Sequence, residues 1–333
     1  MKQRFLSLDI MRGLSAILIV LYHYTIRYNE NPLTEGYHTN WSFHCSFGFA
    51  AVTTFFVMSG FFSGKILIGQ LKSAKAFLKR LNRLLPTFWT CATISAVLLF
   101  CIWKEASVSL VDYLGNLTML PGLLRVKAID GAYWTLQLEL FWALWVSFLL
   151  KFKNISHRLY GLLVLICFSI VLSFFNDIQH PVFSAFRVVF MTSFSSSFIA
   201  GTCLWIIQNN KLNKKLMCTV FCFCVVNQIL QQQTIYHDMF FFASVFVIFI
   251  HKKLDVYLST KNIILKFLVW IASFSYPLYL LHQMIGFAII WHLRKLGIEG
   301  EWMILVPIGF NVVLAFLIHN YIEKNKSLNV IKI

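Results

Sequence analysis

Arg12 and His23 stand three helical turns apart inside the first apolar run of the chain, SLDIMRGLSAILIVLYHYTI. At 3.6 residues per turn they share one helix face, about 16 Å apart along the axis. An ionisable side chain in hydrocarbon costs about 2.5–3.5 kcal/mol even on the most lenient scale, and such residues are kept for function. One helix therefore carries a cation toward one membrane surface and a titratable imidazole toward the other.

Similar runs recur from end to end. With 333 residues, 59% of them hydrophobic and 13% charged, and a mean hydropathy of +0.71, the chain exceeds what a soluble domain tolerates. The expected fold is all-α, a single integral-membrane domain over 1–333 without a soluble domain. About ten transmembrane helices are expected, at 7–26, 47–68, 84–103, 132–150, 159–175, 183–207, 216–231, 236–250, 264–292 and 302–322. The first run follows Lys2 and Arg4, contains Asp9 and Arg12, and has no small-residue cleavage site. It is expected to be a retained signal anchor.

The charges sort by side. Lys2, Arg4, Lys65, Lys72, Lys75, Lys79, Arg80, Arg83, Lys151, Lys153, Lys211 and Lys326 flank alternate ends of these spans. The opposite flanks hold Arg27, Lys104, Arg125, Lys127, Arg294 and Lys295 with most of the acids. The positive-inside rule then puts the N- and C-termini in the cytoplasm and accounts for the net charge of +16 as topology. Nucleic acid is excluded as a partner, because the basic residues are divided among short loops with no dedicated domain. The loop GQLKSAKAFLKRLNRLLP is denser than orientation requires. Anionic lipid or a phosphate-bearing cytosolic ligand suits it equally.

Cysteine is uninformative. Most thiols fall inside spans, where they are small apolar residues; Cys45 and Cys101 fall near one surface, and spacing alone leaves their pairing open. No HExxH, CxxC or Walker sequence occurs, so no metal is expected. The outer segments contain His38, Tyr37, Trp41, His44 and Tyr133, which suit either sugar stacking or interface anchoring.

By helical rise, His23, Glu139, Arg187 and His282, from four different spans, are expected in one layer of the outer half, with Arg12 beneath them. Separate structural pairs, such as Arg187 with Glu139 and Asp9 with Arg12, would also account for them. A histidine near a carboxylate is a general base for a hydroxyl attacking an acyl carbon, and arginine below a basic loop suits a phosphate-bearing donor. That combination reads as a membrane acyltransferase using a coenzyme thioester. The alternative is a transporter exporting a saccharide or acylated glycan, against which stands the lack of an evident inverted repeat. A structural subunit of a polysaccharide machine would leave the buried charges without a role.

The ordered motifs resemble the membrane acyltransferase-3 family. They are LDIMRG with Arg12 and His23 as an Arg, ten residues, His signature; FFVMSGFFSGKIL; KRLNRLLPTFW with Arg80 and Arg83; YWTLQLELFW with Glu139; SYPLYLLH; and YIEK, together running from 7 to 324. The resemblance implies O-acylation, commonly O-acetylation, of cell-envelope saccharides from acetyl-CoA at the bacterial inner membrane. Carried onto this chain, it makes His23 the catalytic base and Glu139 the group that orients or charges it. Arg12, Arg80 and Arg83, with Lys79 beside them, would hold the acyl-CoA donor. Tyr279 and His282 would line the acceptor side, with Arg187 and Asp9 in support. Larger relatives add an outer SGNH-type hydrolase-like domain; without one, direct acylation of a lipid-linked or nascent polysaccharide is expected. The chain departs from relatives at Asn325, where they often carry proline.

Overall fold

In the computed structural model, residues 5–69, 71–175, 180–209, 213–231, 233–258 and 261–325 are described; Lys2, Arg4, Lys211 and Lys326 lie outside them. The described residues form helices and no strands. Helix α1 (Leu6–Tyr22) continues as a π-helical turn, His23–Arg27, and is followed by α2 (Val52–Ile68) and the long α3 (Ser73–Ile102). Two short helices, α4 (Leu110–Leu117) and α5 (Pro121–Leu124), precede α6 (Trp134–Leu149) and α7 (Ile155–Ser173). Then come α8 (Pro181–Val189), α9 (Ser195–Asn209), α10 (Lys214–Leu230) and α11 (Ile235–Tyr257). The chain closes with α12 (Ile263–Ser273), α13 (Ser275–Lys295), α14 (Leu305–Ile318) and a second π-helical turn, His319–Glu323.

Among the described residues, four helical stretches are long and apolar enough to cross a membrane on their own: Leu6–Arg27, Ser73–Ile102, Ile155–Ser173 and Glu301–Glu323. This is a membrane protein. Helices α2, α6, α9 and α10, at 15–17 residues, are about a turn short of the usual span. Two expected spans are not continuous. The run 264–292 breaks at Phe274, where α12 and α13 meet at 78°. Pro277, lacking an N–H, sits in the first turn of α13, where a helix tolerates it and a continuous one does not. The run 183–207 divides into α8 and α9, with Met191 in a left-handed conformation (φ 51°) between them.

The interior has two apolar cores. One is built by α2, α6, α7, α9, α10 and α11, the other by α1, α3, α13 and α14. In the first, α2 and α9 cross at backbone contact: a Cβ on Gly60 would lie 1.9 Å from the Phe198 carbonyl oxygen, and one on Gly201 would lie 2.0 Å from that of Val57. Only glycine permits that approach, and small residues are how membrane helices pack without a hydrophobic driving force. Helix ends are closed by side chains from elsewhere in the chain. The Ser7 N–H donates to Asp255 Oδ1 (2.7 Å) at the start of α1, and buried Arg158 donates to the Leu67 and Gly69 carbonyls at the end of α2 and to the Phe152 carbonyl just past α6.

Candidate functional site

A cleft enclosing about 990 Å³, mouth included, opens at the seam between the two cores. Phe55 and Tyr279 line it and pack against both cores. Its charged wall comes from three helices and the closing π turn: Arg12 on α1, Arg80 and Arg83 on α3, Glu139 on α6, and Glu323. The bend between α12 and α13 contributes Ser273, Ser275, Tyr276 and Tyr279. The break that interrupts the expected span thus builds a wall of this cleft.

Within the wall the charges are unequally engaged. Arg80 Nη2 donates to Glu139 Oε2 and, at 2.8 Å, to Ser59 Oγ, while Ser59 Oγ donates to Glu139 Oε2 (2.9 Å). The Glu139 carboxylate therefore serves Arg80 rather than a histidine, because α3 and α6 pack together there. Arg12 lies 3.7 Å from Asp9, one turn back on α1, and Glu323 accepts from His319 Nδ1 (2.6 Å). Arg83 lines the cleft with no hydrogen bond or ion pair among the described residues. The Glu323 and Glu139 carboxylates in the same wall act on Arg83 only through space, which leaves its N–H donors open to an anion. Lys79, one residue from Arg80, is exposed and absent from the lining.

The two histidines meet. His282 Nε2 lies 3.1 Å from His23 Nδ1, the rings edge to face at 4.6 Å between centroids. The hydrogen-bond pattern sets their tautomers when neutral. His282 Nδ1 lies 2.7 Å from the Tyr279 carbonyl, which only accepts, so Nδ1 carries the hydrogen and Nε2 the lone pair. His23 Nδ1 then donates to His282 Nε2 and to the Ile19 carbonyl (2.9 Å), leaving the lone pair of His23 on Nε2. His23 is 8% exposed and His282 fully buried. The π turn beginning at His23 re-aims this residue at the end of α1, a local device common at functional sites.

Neither histidine lines the cleft; Tyr279 joins the pair to it. Tyr279, whose carbonyl holds His282, stands in the cleft wall, with its hydroxyl donating to the Ala132 carbonyl (3.0 Å) and accepting from Thr135 Oγ1 (2.9 Å). Tyr279 therefore faces the arginine-lined space, and His282 faces His23. The expected layer of four groups is not formed. Arg187 lies on α8, no residue of which is buried, donating to the Phe175 carbonyl and Ser184 Oγ.

Several residues expected on the outer side are structural. Trp41 is buried with its indole N–H donating to the Tyr24 carbonyl (2.9 Å), and buried Tyr133 donates to the Leu280 carbonyl (3.2 Å); neither ring is open to a sugar. Cys45 is buried with its thiol on the Leu18 carbonyl, Cys101 is exposed, and both are free. Residues that motif spacing did not single out are Ser59, Tyr24 and Asp130. Ser59 pairs with the Glu139 and Arg80 side chains, whereas Tyr24 and Asp130 reach backbone groups of α13 distant in sequence.

The fold defines a helical membrane protein with a cleft, charged along one wall, between two apolar cores. The family model for the acyltransferase domain, acyltransferase-3, matches residues 5–320. The chain belongs to that family and is an acyltransferase. No curated protein and no solved structure matches it.

Proposed function

We propose that the protein is an O-acetyltransferase that takes an acetyl group from cytosolic acetyl-CoA and places it on a sugar hydroxyl of a lipid-linked or nascent envelope polysaccharide, at the bacterial inner membrane. The observation that carries this reading is the pairing of His23 with His282, joined through Tyr279 to a cleft that presents Arg12 and Arg83. The chain is taken to cross the membrane about ten times with both termini cytoplasmic. The cleft's charged wall then faces the side where the basic loops lie.

The chemistry follows from the tautomers. His23 Nε2 takes the proton of the acceptor hydroxyl as its oxygen attacks the thioester carbonyl carbon. The carbon–sulfur bond breaks, coenzyme A leaves as its thiol with that proton, and the sugar keeps the ester. The His23 Nδ1–H bond to His282 Nε2 strengthens as the imidazole becomes charged. Arg83 and Arg12 bind donor phosphates, while Arg80, neutralised by Glu139, shapes the wall between them and the thioester. The test is release or transfer of label from radiolabelled acetyl-CoA by purified protein in proteoliposomes. Label release by the wild type and none by His23→Ala supports the reading; equal release by both, or no saturable acetyl-CoA binding by folded protein, refutes it.

A further inference from the structure

The turn of α13 that carries His282 is held from outside its own helix. The Met284 N–H donates to Asp130 Oδ2 (3.0 Å), and the second oxygen, Oδ1, accepts the Ala132 N–H (2.8 Å). The Tyr24 hydroxyl donates to the carbonyl of His282 itself (2.8 Å) and accepts from Asn311 Nδ2 (2.9 Å). The Leu280 carbonyl, one turn before Met284, accepts from the Tyr133 hydroxyl (3.2 Å), so the same stretch of α13 is held at a further point.

These holds are built in. Asp130 is 1% exposed and Tyr24 fully buried, so neither polar group is there for solvation. Gly286, one turn beyond His282, leaves room for the Tyr24 ring: a Cβ there would lie 2.3 Å from its atoms. Tyr24 directly follows His23 in the π turn. It therefore ties the backbone of one histidine's neighbour to the backbone of the other. Asp130 ties the same turn to the segment that enters α6.

We infer that Asp130 and Tyr24 are positioning residues that set the His23–His282 distance by gripping the backbone of α13 at His282 itself and two residues beyond it. They touch neither substrate nor the reacting atoms in this account, which rests on the proposed role of His23. Histidine side chains on two helices keep a hydrogen bond only while the helices keep their register. Losing a grip lets His282 drift, and a displacement near 1 Å is enough to cost about 10²-fold in a transfer reaction.

The experiment is a mutant cycle read on acetyl-CoA turnover in proteoliposomes, each variant normalised to its saturable acetyl-CoA binding so that unfolded protein does not count. Asp130→Asn keeps the volume and one acceptor, and Tyr24→Phe removes only the hydroxyl. Each is expected to lower the turnover rate about tenfold with KM for acetyl-CoA unchanged, and to change it less than about twofold in a His282→Ala background. The acid limb of the pH–rate profile is expected to move in both single variants. Equal fractional losses in the two backgrounds, an unmoved acid limb, or full activity of the single variants overturn the inference. His23→Ala separates the two readings: inactivity with additive losses elsewhere faults only the positioning role, whereas full activity of His23→Ala removes the base on which it rests.

Discussion

His282 Nε2 lies 3.1 Å from His23 Nδ1, and the Tyr279 carbonyl on the far side of His282 makes His23 Nε2 the free lone pair. In the proposed mechanism His282 does for His23 what a carboxylate does in other histidine bases, with a neutral acceptor. His282→Ala is expected to lower the turnover rate by about 10²-fold, the lower end of what a proton-transfer group contributes. His282→Gln, whose Oε1 accepts in place of Nε2, should recover part of that loss. Steady-state rates of the two variants at saturating acetyl-CoA check this.

Arg83 faces the cleft without a fixed partner, whereas Arg80 is held by Glu139 and Ser59. Arg83→Ala should therefore raise KM for acetyl-CoA about tenfold or more, the size of one charge-assisted contact, with little change in the maximal rate. Arg80→Ala should behave differently, lowering thermal stability by stranding a half-buried carboxylate. Adding Glu139→Gln to Arg80→Ala should restore part of that stability. Thermal unfolding in detergent, with and without acetyl-CoA, distinguishes the two arginines.

The α2–α9 crossing has no space for a side chain at Gly60 or Gly201. Gly60→Val should separate the two helices and cost about 1–3 kcal/mol or more, the range for overpacking. The expected readout is a fall in melting temperature and in folded yield. Gly309, with nothing within 4 Å of its would-be Cβ, serves as the control, and Gly309→Ala should be close to neutral.

The segment around α4 is closed by Asp112, which accepts from the Ser109 hydroxyl (2.7 Å) and from the Lys127 N–H (2.9 Å). The Ser109 hydroxyl and the Lys127 N–H hold its carboxyl below the usual carboxylate range. A group whose folded value is depressed stabilises the fold above its unfolded value and loses that contribution as pH falls through the folded one. Amide exchange protection over residues 107–127, taken relative to the intrinsic rate at each pH, should therefore fall below about pH 4, and Asp112→Asn should show reduced protection at neutral pH.

The chain's own order of residues determined the all-helical membrane class, the start of most helices and the arginine and histidine positions. Apolar periodicity and the cost of charge in hydrocarbon act locally and leave their mark in a linear reading. Arg12 and Glu139 stand out in the sequence as expensive groups in apolar runs, and Arg80 and Arg83 as part of a dense basic loop; the structure brings all four to the lining of one cleft. Which partner each takes was not legible. Glu139 meets Arg80 and His282 meets His23 through contacts between helices far apart in sequence, set by packing rather than by spacing. The bend at Phe274 and the π turn at His23 are likewise decisions of tertiary structure. Each trades regular helical hydrogen bonding for side-chain and interhelical contacts that exist only once the bundle has closed.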